Sequence, residues 1–391
     1  GKTEKRPLGI PTMRDRAMQA LQLLALEPVA ETTADRISFG FRKYRSPEDA
    51  REYAFRILSR KDSPQWILEG DIKSCFDKIS HEWMMEHIPT DKRILKEFMK
   101  CGYINKGKLY PTTEGSPQGG VISPTYANMV LDGMEPMILN VYWRSKVKKT
   151  FGVKYNSHKV HMVRFADDFI VTASDKETLE AIKQMLESFL RERGLTLSME
   201  KTVITHINSG FDFLGWNFRK FKGKLIIKPS SKSMRKVTKK ISEIIKNNRT
   251  TKQEILIQRL NQVLIGWANY HQGTCAKKCF GTIDNRTWKM LWKWAKRRHP
   301  NKKHQWIVDK YWKEYKGRRW AFRTEKSILF SMSDMPIVRK SQMALDKNAF
   351  LDKEYFQKRS QKHRQKRKMA MSSNNAAHIG IMRYRCVSGM Q

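Results

Sequence analysis

Two adjacent carboxylates, Asp167 and Asp168, sit between short apolar runs in residues 161–173. Val163, Phe165, Phe169 and Val171 are the β-branched and aromatic types that strands favour, so the stretch reads as a hairpin with acids at its tip. Paired acids beside apolar strands are costly to desolvate unless a cation compensates them. A hard divalent ion is the natural candidate, since such ions take carboxylate oxygens. A second apolar run, residues 66–77, carries Asp71. If Asp71 lies beside the hairpin, three carboxylates could hold two Mg²⁺ ions about 3.5–4 Å apart. Such a centre would align a hydroxyl, a triphosphate and its leaving group for in-line attack. The bland reading of Asp-Asp alone is a turn pair. Asp71 makes that the weaker reading.

The chain has 391 residues, room for two or three domains and a substantial core. Its 77 Lys and Arg against 38 Asp and Glu give a net charge of +39. That excess points to a polyanionic partner, nucleic acid ahead of an anionic membrane. No apolar run is long enough to span a bilayer, and no signal-peptide pattern is present. The five cysteines are scattered, which fits a reducing compartment rather than a disulfide framework. The chain opens on Gly-Lys, as expected of a fragment or a processed product.

The elements that must position these acids can be read in order. Residues 1–60 look helical and basic. A helix is expected over residues 12–27, with Ala17, Leu21, Leu24 and Ala25 as its buried stripe. Of the arginines at its entrance, Arg6 is the one read as a phosphate contact. Residues 66–76 form the first strand, and a short helix follows over residues 81–88. A Gly/Pro-rich loop, residues 115–124, places the Gln118 amide where a backbone can approach a base pair closely. It leads into a helix with Ala127, Val130, Leu131 and Met134 on one face. After the hairpin, Ser174 and Glu177 form a capping box. Leu179, Ile182, Met185, Leu186, Phe189 and Leu190 trace a helical face, and Gly194 ends that helix. Leu195, Leu197 and Met199 alternate as a last strand. Residues 66–205 thus read β-α-β-β-α-β, the ferredoxin-like split arrangement. Strands one and three are central neighbours there, so Asp71 is expected beside Asp167.

From residue 229 the chain turns helical and basic. Lys236, Lys239, Lys240 and Lys246 stud one helix and are read as facing nucleic acid. Ile257, Leu260, Val263, Leu264 and Trp267 mark a second helix. Trp288, Leu291, Trp292 and Ala295 mark a third, and its tryptophans are read as core. Cys275 and Cys279 lack a second pair, so no structural zinc is expected. The basic run at residues 357–368 reads as a disordered polyanion-binding arm.

Together these residues resemble a family. Phe165-Ala166-Asp167-Asp168 looks like the Tyr/Phe-x-Asp-Asp signature of reverse transcriptases. Residues 6–11, 38–42, 71–77, 115–120 and 213–216 resemble, in order, the blocks of group II intron-encoded proteins. Residues 266–271 and 294–300 look like that family's thumb/maturase (X) domain. The resemblance spans roughly residues 2–360. It implies an α+β right-hand polymerase fold: partial fingers (1–60), a ferredoxin-like palm carrying the catalytic site (61–228), an α-helical thumb/maturase X domain (229–325) and a basic DNA-binding-like region (326–391).

The resemblance also implies roles. Asp71, Asp167 and Asp168 would be metal-site carboxylates for two Mg²⁺ ions, with the Ile72 carbonyl as a further ligand. Arg6 would touch the incoming triphosphate and Gln118 the nascent base pair. Phe76 would be a steric gate against the ribose 2′-hydroxyl. Lys201 would protonate the leaving pyrophosphate. Phe213, Leu214, Gly215 and Trp216 would form the primer grip. Relatives normally carry an N-terminal extension before this point and often a C-terminal endonuclease; neither is expected in this chain. The implied activity is RNA-directed DNA polymerisation of a group II intron, with dNTPs, template RNA, primer DNA, target DNA and the intron RNA as partners and no membrane. A splicing factor that binds RNA without polymerising is the alternative. The implied location is the bacterial cytoplasm, with an organelle as the other choice.

Overall fold

The computed structural model describes residues 9–105, 108–110, 114–115, 119–148, 151–315 and 317–387; the side chains of 103–105, 109, 144–148, 151–155 and 373–387 stand outside that description. The chain divides into two units, one of residues 1–214, 219–225 and 342–357, the other of residues 215–218, 226–341 and 358–391.

The first unit is built on a four-stranded sheet of β1 (Trp66–Asp71), β2 (His161–Phe165), β3 (Asp168–Ala173) and β4 (Val203–His206), in the order β2-β3-β1-β4. All neighbours are antiparallel. This is the expected ferredoxin-like order, with the first and third strands at the centre. One expected strand moves: residues 195–199 form a loop touching the sheet by a single Ile72–Leu197 bridge, and the fourth strand lies at Val203–His206. Alternation over Leu195, Leu197 and Met199 arises because Leu195 and Leu197 dip into the core while Met199 stays exposed.

Helices cover one face of this sheet: α1 (Met13–Thr33), α2 (Ser123–Leu131), α3 (Met134–Tyr142) and α4 (Lys176–Arg191). The core between them takes Leu68, Ile72, Phe169 and Val171 from the strands. It takes Tyr126, Val130, Met134, Ile138, Leu179, Ile182 and Leu186 from the helices. Along α4 the anticipated face is buried except for half-buried Met185. Its N-cap is Asp175, whose carboxylate accepts from the Thr178 amide at 2.8 Å, not Ser174. Asp175 is one residue nearer the helix, and its carboxylate also carries favourable charge for the helix N-terminus. Between Leu131 and Met134 the expected helix breaks at Asp132-Gly133, where Gly133 adopts φ +105°. Gly70 is forced by packing: a Cβ there would sit inside the Phe169 ring.

Helix α1 runs past Pro28 to Thr33, and its buried side is Gln19, Leu26, Ala30 and Glu31. The anticipated stripe at Ala17, Leu21, Leu24 and Ala25 is exposed. Apolar residues ring this helix, so periodicity alone does not select a face. Two polar contacts do: Gln19 Oε1 accepts from the Val121 amide at 2.7 Å, and Glu31 pairs with Arg42 at 2.7 Å.

The second unit packs α5 (Ser231–Asn247), α6 (Gln253–His271) and α7 (Lys277–Arg298) around Ile241, Leu256, Leu260, Leu264, Phe280, Ile283 and Leu291. Trp294 is buried, while Trp288 and Trp292 are half-buried and stack at 5.8 Å, so the tryptophans serve the core as expected. The basic run at residues 357–368 is helical, inside Lys353–Val387. Lys, Arg and Gln are good helix formers, and Phe356 anchors the start by burial.

On the sheet face opposite the core, Glu69 accepts a hydrogen bond from Thr205 at 3.3 Å, and burial pushes its carboxyl from 4.5 up to about 7. A carboxyl raised in the folded state is ionised first in the unfolded chain, so folding stability falls as pH climbs from 4.5 to about 7. Glu69→Gln removes that loss. Urea midpoints should therefore separate in favour of the variant between about pH 4.5 and about pH 8. An equal gap at both pH values would show that Glu69 does not titrate this way.

Candidate active site

The register of β1 and β3 sets Asp71 directly opposite Asp168. Opposed residues of an antiparallel pair project from the same face, so the two carboxylates share one side of the sheet edge. Phe165 opposite Asp168 closes the β2–β3 hairpin, leaving Ala166 and Asp167 as a two-residue loop. Such loops need left-handed backbone, and Ala166 takes φ +57° without the freedom of glycine. That conformation costs about 1–3 kcal/mol and persists only where surroundings enforce it.

The enforcement is visible. Residues 37–40 run beside β2: the Phe39 amide donates to the Arg164 carbonyl at 2.9 Å, and the Arg164 amide donates to the Ile37 carbonyl at 3.1 Å. Gly40 lies so close that a Cβ would strike the Ala166 nitrogen and approach the Phe165 carbonyl carbon to 2.9 Å. The Gly40 carbonyl accepts from Asn128 Nδ2 at 2.8 Å. Behind the turn, Arg164 is fully buried, with Nη1 donating to Asn128 Oδ1 at 3.3 Å and Nη2 paired with Asp132. Burial pushes the Asp132 carboxyl up to about 6 even with that guanidinium beside it. Arg164, Asn128, Asp132 and Gly40 were not singled out by their sequence pattern. The available signal was an arginine in the middle of an otherwise apolar strand.

Lys201 reaches the same edge. Its Nζ donates to Asp71 Oδ2 at 2.6 Å, while the lysine stays 61% exposed. The loop carrying it is fastened to the end of β1: the Ser198 amide donates to the Asp71 carbonyl at 2.8 Å, and Lys73 N to the Thr196 carbonyl at 2.9 Å. Among the described residues no three His, Cys, Asp or Glu side chains are already gathered into a metal cluster. The donor chemistry nonetheless suits a hard divalent ion. Asp71 and Asp168 are register partners, Asp167 is next in the chain, and the Lys201 ammonium stands beside Asp71 as a cation would. Ile72, named for its carbonyl, directly follows Asp71, and its side chain is core.

Phe76 lies on the short helix Cys75–Lys78, entered through Ser74 at φ +47°, and is half-buried against the core. Gly115, at φ +81°, lies against this turn; a Cβ would sit 2.5 Å from the Asp77 carbonyl carbon and 2.6 Å from the Phe76 oxygen. Arg6 and Gln118 lie outside the described residues. Phe213 and Leu214 belong to the first unit, Gly215 and Trp216 to the second. Leu214 and Gly215 take φ +50° and +80°, the left-handed pair of a tight hairpin turn. Phe213 and Trp216 are buried, and within its own unit Trp216 stacks on Tyr270 at 4.5 Å. Leu214 is half-buried and Gly215 exposed.

Comparison with known proteins adds independent findings. Residues 1–218 match the family described as reverse transcriptase (RNA-dependent DNA polymerase), and residues 234–312 match the group II intron maturase-specific domain. Protein YkfC of Escherichia coli is 34% identical over 239 residues, 54% of this chain and 62% of that protein. The group II intron-encoded protein LtrA of Lactococcus lactis is 29% identical over 269 residues, covering 55% of this chain and 44% of LtrA. Thus the chain spans roughly half the length of the curated relatives it matches.

The brace behind the turn makes a measurable demand. Arg164→Met leaves the Asp132 carboxylate buried without its cation and should cost about 3–5 kcal/mol of stability in urea unfolding. Adding Asp132→Asn should recover part of that loss. A double variant as unstable as the sum of the two singles would show that the pair is not coupled.

Proposed function

This chain belongs to the reverse transcriptase (RNA-dependent DNA polymerase) family, and on that footing we propose that it extends a primer 3′-end on an RNA template with deoxynucleoside triphosphates. The observation that carries this is the Asp71–Asp168 register pair at the tip of a hairpin whose turn is Asp167. The family uses divalent metal ions. Here Asp71, Asp167 and Asp168, with the Ile72 carbonyl, would hold two Mg²⁺ ions, which when bound supply Lewis-acid stabilisation to the transferring phosphoryl group.

The chain's own residues do the rest. Asp71 is fixed through β1 and Asp167–Asp168 through the strained turn, so the acids are placed before substrate arrives. Lys201 is exposed enough to leave Asp71 and donate a proton to the departing pyrophosphate. The Phe76 ring would lie under the sugar and clash with a 2′-hydroxyl. Arg6 would steady the triphosphate, Gln118 the new base pair, and the 213–216 turn the primer end.

The maturase-specific match at residues 234–312 supports a second role, binding group II intron RNA. Arg235, Lys239 and Lys246 of α5 and Arg286 of α7 line one basic groove in the second unit, as suits a phosphate backbone. With a net charge of +39, affinity should rest largely on phosphate contacts and fall steeply with salt. Target DNA would engage the same chemistry. Among the described residues no helix is long and apolar enough to cross a membrane. A bacterial cytoplasmic setting, on RNA or the nucleoid, accords with this reading, and an organelle is the alternative.

Primer extension tests the chemistry. Asp167→Ala should lower the extension rate by at least about a hundredfold, while RNA affinity, read by filter binding across a salt series, stays at the parent level. Extension equal in parent and variant would reject the site. Absence of extension in the parent, with RNA binding intact, would leave an RNA-binding splicing factor as the function.

A further inference from the structure

The segment at residues 38–42 does more than back the catalytic turn. Its next residue after Gly40 is Phe41, whose backbone stands at φ +57° and which is 55% exposed as a residue. A bulky residue rarely adopts a left-handed backbone, and a large ring left half in water gains little from burial. Both oddities have one outcome: the Phe41 ring meets Phe76 edge to face, with centroids 6.4 Å apart and planes at 80°.

Phe41 cannot easily drift. On one side the Gly40 carbonyl is held by Asn128, and Gly40 is wedged against Ala166. On the other, Arg42 pairs with Glu31 through two bonds of 2.7 and 2.8 Å. It also donates to the carbonyls of Asp35 at 2.6 Å and Ser38 at 3.0 Å. One short segment therefore touches the turn that carries Asp167 and the ring of Phe76.

We propose that Phe41 is a positioning residue for sugar discrimination: its ring edge holds the Phe76 ring at the angle that excludes a ribose 2′-hydroxyl. This rests on the reading of Phe76 as the sugar gate. The Phe76 ring is half-buried against the core, which limits its travel but leaves its angle to be set by what meets its exposed part. Gly115 packs against the backbone of that turn, and the Phe41 edge adds the aromatic contact that sets the angle of the ring. Edge-to-face pairs have a preferred geometry, so replacing one member loosens the other in angle as well as in distance.

The test is the ratio of kcat/KM for a dNTP to that for the matching rNTP in primer extension. It is measured for the parent, Phe41→Ala, Phe41→Tyr and Phe76→Val. Phe41→Ala should raise rNTP use and narrow the ratio by about tenfold, the lower end of what one methylene of packing is worth in discrimination. Phe41→Tyr keeps the ring edge and should keep the parent ratio. Phe76→Val should collapse the ratio. A merely structural role for Phe41 would lower both kcat/KM values together without raising rNTP use, and that result overturns the proposal. If Phe76→Val leaves the ratio intact, the gate reading fails, and the role for Phe41 falls with it.

Discussion

Carboxylates on adjacent strands of one sheet repel one another unless positive charge stands between them. The pairing of Asp71 with Asp168 imposes that condition, and much of the first unit can be understood as meeting it. Register is the decisive variable. A slip of one residue between β1 and β3 would turn Asp71, and Glu69 with it, to the packed face where Leu68 and Ile72 meet the helices. Gly70 guards against such a slip, since only a residue without a side chain fits beneath the Phe169 ring. The Lys201 ammonium answers Asp71, and the loop carrying it is tied to the backbone of the same aspartate.

Strained backbone recurs along this edge. Ala166, Ser74 and Phe41 all take left-handed backbone without being glycine. One belongs to the turn that carries Asp167, one opens the helix of Phe76, and one presents the ring that touches Phe76. Backbone of this kind is kept where a fixed arrangement outweighs local comfort. The stabilising contacts are buried and polar: Arg164 with Asn128 and Asp132, and Arg42 with Glu31. Buried polar pairs contribute little net stability when satisfied but are costly to break, which suits them to specifying one geometry.

Much of this was legible in the residues. The hairpin, the order of the four strands and the neighbouring of Asp71 with the acidic turn all follow from period-two patterning and from chain order. The face of α4 follows from period 3.6. Misreadings have physical causes. Helix α1 is apolar all round, so its inner face is chosen by Gln19 and Glu31 finding partners, and hydrophobic spacing is silent about that. Residues 195–199 alternate as a strand does, yet their backbone bonds go mostly to the end of β1 and within the loop. Residues 357–368 are charged enough to suggest disorder, but their types are also good helix formers. Arg164 was hidden because a buried arginine announces itself only through its partners, which lie 36 and 32 residues away. Arg6 and Gln118, read from their neighbours in the chain as a phosphate contact and a base-pair contact, lie outside the described residues.

The most direct measurement asks whether the acids share a divalent ion. Fe²⁺ in place of Mg²⁺, with ascorbate and peroxide, cuts backbone next to the site it occupies. Fragments should end beside Asp71 and beside Asp167–Asp168 together, and excess Mg²⁺ should suppress both sets. Cleavage at only one of the two segments, or cleavage that Mg²⁺ does not compete away, would contradict a shared centre.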